Sequence, residues 1–226
     1  MSLPTSLDDL QSRVAAVSDQ DESTANISSA DYSLRRMYIN MAQREWAETY
    51  DWRSLYREYN MVVSTSTGNA SIALPANFRK SAGTPQITYD GTTTLNFHEI
   101  RAEERTTQKA SSKYVYFMGD QNAGYTMIIN AGTLASGASV FIPYRASLAS
   151  LVSPADIAMC PNPEYLTQRT LAYIWESRSD QRFPQAKAES DKILQKMLEY
   201  EQVYGEGMVD SIQTADEKYY NFRWGR

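Results

Sequence analysis

The residues that could do chemistry are few and scattered. His98, in Asn96-Phe97-His98-Glu99-Ile100, is the one histidine of the chain. A nucleophile–His–acid constellation would have to use it as the proton acceptor. A lone imidazole beside Glu99 reads instead as a surface residue at the start of a helix. Cys160, the single cysteine, lies in Ala158-Met159-Cys160-Pro161 with no base arranged beside it, so it reads as a buried, inert thiol. Metal centres want several His or Cys ligands, and a calcium loop wants Asp-x-Asp-x-Asp-Gly; neither pattern occurs. Asp19-Gln20-Asp21-Glu22 is an acidic cluster of the kind found in solvated loops. Glycine-rich phosphate loops are absent. Glu103/Glu104 and Asp8/Asp9 could be offered as acid–base pairs for glycoside chemistry, but such pairs are common on any solvated face. Arg35-Arg36 and Arg223 with Arg226 are the basic clusters, and two charges do not make a nucleic-acid surface. The reading is therefore of no enzyme, no catalytic residue, no cofactor and no metal.

Bulk properties point the same way. The net charge is -5 and the pI about 5.0, which argues against a surface built to grip phosphates. An acidic wall past which DNA slides without sticking remains compatible with it. The 226 residues suffice for one large domain, or for a core domain with an insertion. Sixteen tyrosines are many for this length. Tyrosine suits surfaces that are apolar and hydrogen-bonding at once, which favours an interface role. One cysteine gives no disulfide framework and suits a reducing, intracellular environment. No apolar run nears the ~20 residues of a membrane helix, and Met1-Ser2-Leu3-Pro4 carries no signal segment, so a soluble protein is expected.

The elements follow from periodicity. Ser6 can cap a short helix whose first turn holds Asp8 and Asp9, with Leu7, Leu10, Val14 and Val17 as its apolar face. Residues 18–28 are polar and read as a loop. Ser29 precedes a long amphipathic run from Asp31 to Tyr50, with Leu34, Met37, Tyr38, Met41, Ala42, Trp46 and Thr49 at helical steps. Tyr50-Asp51-Trp52-Arg53 stops it. From Arg53 to Arg145 the period becomes two, in five or six short strands: around Tyr59–Val63, Ile72–Leu74, Ile87–Tyr89, Tyr114–Met118, Tyr125–Ile129 and Ser139–Tyr144. Gly68-Asn69 and Asp90-Gly91 read as turns. Residues 95–106 read as a short helix. Helices return from Pro163 to Arg178 and from Phe183 to Gly205, joined by a short break and so antiparallel.

This order predicts an α+β fold. Its N- and C-terminal helices form a helical bundle with an inserted small antiparallel β module, followed by an extended C-terminal tail. The expected domains are 1–52 for the N-terminal helices, 53–145 for the β module, 146–205 for the C-terminal helices and 206–226 for the tail. The tail ends in Tyr219-Tyr220-Asn221-Phe222-Arg223-Trp224-Gly225-Arg226, a cluster of aromatics and arginines with no core periodicity.

Three stretches together carry a resemblance. They are Arg44-Glu45-Trp46-Ala47-Glu48-Thr49-Tyr50-Asp51-Trp52, then Leu74-Pro75-Ala76-Asn77-Phe78-Arg79-Lys80, then the helix pair Pro163 to Tyr204 with its Ser179-Asp180 break and Ala186-x-Ala188-x-x-x-Asp191 pattern. The strand at Pro85–Gly91 and the Phe97–Ile100 element extend them. In this order the chain resembles the head-to-tail adaptor, or connector, proteins of tailed bacteriophages.

That resemblance implies a homo-oligomeric ring, usually of twelve copies, at the neck of the virion and assembled in the host cytoplasm. Its implied partners are further copies of itself, the portal protein, a downstream tail or nozzle protein, and double-stranded DNA crossing the lumen without sequence-specific binding. No membrane partner is implied. The C-terminal segment would clasp the portal, which makes Tyr219, Tyr220, Phe222, Arg223, Trp224 and Arg226 the expected docking residues. Aromatics and arginine are the residues enriched at binding hot spots. Arg35, Arg36 and Glu48, on the polar side of the long helix, are the expected inter-subunit face. The alternative is a tail-associated carbohydrate- or receptor-binding module, with Tyr114, Tyr116 and Tyr125 stacking on sugar rings. A tail hydrolase ranks behind both, for want of an acid–base pair.

Overall fold

The structure is a computed structural model that describes residues 5–18, 29–63, 66–88, 94–108, 113–120, 122–134 and 137–202. The chain divides into two compact units, one of residues 1–54 with 150–226 and one of residues 55–149.

The first unit is helical. Helix α1 (Leu7–Ser18) opens with a reciprocal cap: the Asp9 backbone N–H donates to Ser6 Oγ at 3.1 Å, and the Ser6 backbone N–H donates back to Asp9 Oδ2 at 3.3 Å. The Ser6 hydroxyl and then its backbone N–H hold the Asp9 carboxyl below the ordinary range. Helix α2 (Ser29–Thr49) stops at the aromatic corner, as its sequence predicts. Trp46 and Trp52 stack at 5.1 Å, and Trp52 Nε1 donates to the Trp46 carbonyl at 2.6 Å, so one of the orphan carbonyls of the helix end is satisfied inside the core. Helix α3 (Pro163–Ser177) is capped by Asn162, whose side chain accepts from Glu164 and Tyr165 N–H, with proline in its first turn. A fourth helix, α4, covers residues 183–202. Val14 of α1 packs with Leu171, Ile174 and Trp175 of α3 and with Ala186 of α4.

The buried face of α2 keeps Ala42 and Trp46 of the expected apolar stripe but leaves Leu34, Met37 and Met41 outside. Ile39, Ala42, Trp46 and Ala47 are buried, and Arg35 and Gln43 lie among the buried residues with them. The segment that follows residue 150 explains Gln43 and its neighbour Asn40. Gln43 Oε1 accepts from the Met159 N–H at 2.9 Å. Asn40 exchanges two hydrogen bonds with the Leu151 backbone, at 2.7 and 3.0 Å. A loop laid against a helix must satisfy its backbone groups, and side-chain amides do that here.

The second unit is made of two sheets. One orders β1 (Tyr56–Val63), β9 (Ala138–Ala146), β4 (Gln86–Thr88) and β5 (Thr94–Asn96), with β3 (Phe78–Ser81) also on β9. The other orders β2 (Ser66–Ala73), β8 (Gly124–Leu134), β7 (Tyr114–Asp120) and β6 (His98–Glu99). Val63, Ile87, Val140, Ile142 and Tyr144 of the first share one core with Ile72, Val115, Met127 and Ile129 of the second. This is face-to-face sheet packing, with inward residues alternating along each strand. Strand β9 is the hub of its sheet although it contains Pro143, which has no N–H to give. Between β4, which pairs with Ser139 to Phe141, and β3, which pairs from Tyr144 onward, the facing chain leaves the ladder; there Ala82 N–H donates to the Pro143 carbonyl at 2.9 Å.

This overturns the predicted fold class. The β part is not a small antiparallel insert in a bundle of terminal helices. It comprises, among the described residues, nine strands in two sheets with a core of their own, in the middle of the chain, and β6 pairs with β7 in parallel. Three local misreadings account for the deficit. Gly68-Asn69 is no turn: both residues lie inside β2, where the register to β8 shifts between Thr67 and Asn69. Residues 95–106 are no helix but the ends of β5, then β6, and a 3-10 turn at Ala102–Thr106. Strand β8 continues through Gly132 to Leu134, beyond the expected run around Tyr125–Ile129. The Asp90-Gly91 turn and the extended C-terminal tail lie outside the described residues.

The turn from β7 to β8 depends on Gly119. Its φ is +104°, and a Cβ there would sit 2.1 Å from the Gly124 carbonyl oxygen. Gly124 has φ +86° but open space around its Cβ position. Thermal unfolding should therefore separate the two: Gly124→Ala costs about 1–2 kcal/mol for the left-handed backbone, and Gly119→Ala costs clearly more because backbone must also move. Equal losses would contradict this account of the turn.

Candidate functional site

The residues first examined for chemistry are spread apart and already occupied. His98 is exposed on β6, not at a helix start, and faces Tyr114 across the parallel pair. Glu103 and Glu104 are exposed in the 3-10 turn, where Glu104 Oε2 accepts from the Arg101 N–H at 3.2 Å. Asp9 is a helix cap. Cys160 is buried, and burial pushes its thiol up to about 12, far from a reactive thiolate. Among the described residues no group of three His, Cys, Asp or Glu could hold a metal ion, and no helix is long and apolar enough to cross a membrane.

The densest polar cluster instead joins α2, α3 and α4. Arg169 forks onto Glu45: Nε donates to Oε2 at 2.6 Å and Nη2 donates to Oε1. The Tyr173 hydroxyl donates to the same Glu45 Oε2. Arg169 Nη1 reaches Asp191 at 3.3 Å, and the guanidinium lies 5.3 Å from the Tyr173 ring centre. Tyr38 stacks on Tyr173 at 5.9 Å. Burial, then the Glu45 hydrogen bond and charge, push the Tyr173 phenol up to about 12. Burial works against the charge of Arg169, but its bonds and attraction to Glu45 outweigh that and raise its pKa. Chemically this is a lock. A bidentate Arg–carboxylate pair satisfies both partners, arginine does not release its proton at any working pH, and both Glu45 oxygens are engaged. Glu45 and Asp191 belong to the stretches that carry the resemblance; Arg169 and Tyr173 escaped notice because four-residue spacing of Arg and Tyr on a helix has no special meaning until its partner is known.

The Leu74–Lys80 stretch is structural in the same sense. Phe78 sits within 5.3 to 5.7 Å of the rings of Phe117, Tyr125 and Tyr144, and the Tyr144 hydroxyl donates to Asn77 Oδ1 at 3.0 Å. Tyr114 and Tyr116, two of the three tyrosines considered for sugar stacking, are buried with Ile100, and Tyr125 is packed on Phe78.

The expected interface residues fall as follows. Arg35 is 4% exposed and so turned into the unit. Arg36 Nη1 donates to the Val152 carbonyl at 3.2 Å. Glu48 is exposed. The face that α2 presents outward carries Leu34, Met37 and Met41, exposed by 39%, 47% and 41%, followed by Arg44 and Glu48. Their alternating steps of three and four are those of a helix–helix seam. Tyr219, Tyr220, Phe222, Arg223, Trp224 and Arg226 lie outside the described residues.

A double-mutant cycle on the lock is decisive for its role. Glu45→Gln and Arg169→Met should each cost about 2–3 kcal/mol in urea unfolding. Their coupling should be at least ~1 kcal/mol, because each single change strands the other group. Strictly additive losses would show that the fork contributes nothing as a pair.

No curated protein matches the chain. Residues 5–221 match the family described as SU10 adaptor protein, which spans every element discussed above and all three stretches that carry the resemblance to head-to-tail adaptors. With a match over nearly its whole length, the chain belongs to the SU10 adaptor protein family, a family of structural phage adaptors.

Proposed function

We propose that this adaptor is a ring-forming connector of about twelve copies, whose closed head-to-tail symmetry joins the portal to the tail. It sits at the virion neck after assembly in the host cytoplasm, meets a downstream tail or nozzle protein on its other side, and carries the genome through its lumen at ejection. The observation that carries the reading is the outward face of α2, where Leu34, Met37 and Met41 form an exposed apolar seam continued by Arg44 and Glu48. Methionines adapt to imperfectly matched surfaces, and flanking charges set register between packed helices. Glu48 and Arg44 replace the buried Arg35 as the charges available to a neighbouring copy. A net charge of -5 suits a channel past which phosphates move without being held.

The aromatic and arginine-rich end, from Tyr219 to Arg226, is the proposed portal anchor. Its composition is that of a segment that orders on binding. A sugar-binding module is not favoured, since Tyr114 and Tyr116 are buried.

Two variants test the reading separately. Met41→Glu should leave the melting temperature unchanged and reduce the number of copies retained on the portal, measured by light scattering of the purified complex. Deleting residues 219–226 should abolish docking and also leave the melting temperature unchanged. Full occupancy with Met41→Glu would remove α2 from the copy–copy contact, and an unfolded truncation would show that the tail belongs to the core.

A further inference from the structure

Where α4 ends, the helical unit carries a groove of about 630 Å³, walled by Trp52, Pro161, Ile193, Met197 and Tyr200. Its volume lies within the roughly 300–1,000 Å³ of ordinary binding pockets, and its walls are apolar and aromatic, the usual lining of such sites. The rim carries charges of both signs, with Lys196 among its lining residues. Glu164 is exposed at the first turn of α3, and Glu201 lies at the far end, where Arg53 Nε approaches it at 3.4 Å. Tyr200 is 64% exposed, a large aromatic ring held out beside this cleft.

The geometry points to one occupant: the aromatic segment Tyr219–Trp224 of the same chain, docked back into this groove when no partner holds it. Three observations carry the inference. First, α4 is described to residue 202, and Tyr200 and Glu201 are themselves walls of the groove, so residue 203 follows beside the site. Second, sixteen residues, 203–218, link that point to Tyr219, a length whose reach of up to about 50 Å is more than enough to return to the groove. Tethering of that length gives an effective concentration in the millimolar range. Third, the chemistries complement each other. Tyr219, Tyr220, Phe222 and Trp224 match the apolar walls, and Arg223 or Arg226 finds a carboxylate on the rim at Glu164.

The contact does not depend on what the tail meets later. It is a resting position that any external partner of the tail must displace. Affinity for that partner is then reduced by the fraction of chains docked on themselves, and weakening the groove should tighten partner binding.

The test uses the full chain with no portal present. A photoreactive benzophenone side chain is placed at position 222, and light and heavy isotopic forms are mixed before irradiation. The expected result is an adduct within one chain, mapped by mass spectrometry to the peptide holding Ile193, Met197 or Tyr200. Met197→Lys and Tyr200→Ser should each lower its yield about ten-fold, the loss expected of a central contact. Tyr200 is exposed, so its truncation leaves the fold intact and decides the matter if Met197→Lys unfolds. An adduct elsewhere, an adduct joining light to heavy chains, no adduct, or a yield unaffected by Tyr200→Ser overturns the proposal. Because no portal takes part, that result is independent of whether the tail docks there.

Discussion

The fork of Arg169 on Glu45 is the constraint from which the helical unit follows. Glu45 is near the C-terminal end of α2 and Arg169 is near the middle of α3, more than a hundred residues away in the chain. Once paired, they fix the rotation of α2 about its axis. Asn40 and Gln43 then face the loop after residue 150 and satisfy its backbone. Trp46 turns inward, where Trp52 closes the corner over it. The opposite side, with Leu34, Met37 and Met41, is left facing outward. An exposed apolar stripe on a helix is costly for a monomer and ordinary for a subunit. The lock thus links a partly buried electrostatic contact to the surface on which assembly is proposed to occur.

Much of the helical unit was legible in sequence, since caps and stops act locally. Ser6 as a cap, the end of α2 at Tyr50–Trp52, Pro163 opening α3 and the break before α4 all depend on neighbours a few residues away. The orientation of α2 was not legible. Its apolar positions at 34, 37 and 41 mimic a core stripe, while its true inner face includes Arg35 and Gln43, and Gln43 makes sense only with a loop drawn from residues 150–159. The β unit was under-read for a related reason. Its strands are stabilised by partners far away in sequence, so a glycine inside a bulge looks like a turn, and a two-residue parallel strand such as His98–Glu99 leaves no periodic trace.

The stretches that resemble head-to-tail adaptors turn out to be joints in the structure and not reactive centres. Glu45 locks helices, Trp46 and Trp52 form a corner, and Asn77 and Phe78 pin a loop to the β core through Tyr144 and its neighbouring rings. That is what a structural adaptor requires: rigid units with distinct surfaces for distinct neighbours. The outward seam of α2 and the groove at the end of α4 are two such surfaces on the same unit, one suited to another copy and one to the chain's own aromatic end.

The central claim is that this chain completes itself only as a closed ring on its portal. Native mass spectrometry of the chain alone and with its portal measures that directly. The account predicts a species with the portal carrying about twelve copies, the count at which successive head-to-tail contacts close. A chain that remains monomeric in the presence of the portal would contradict it.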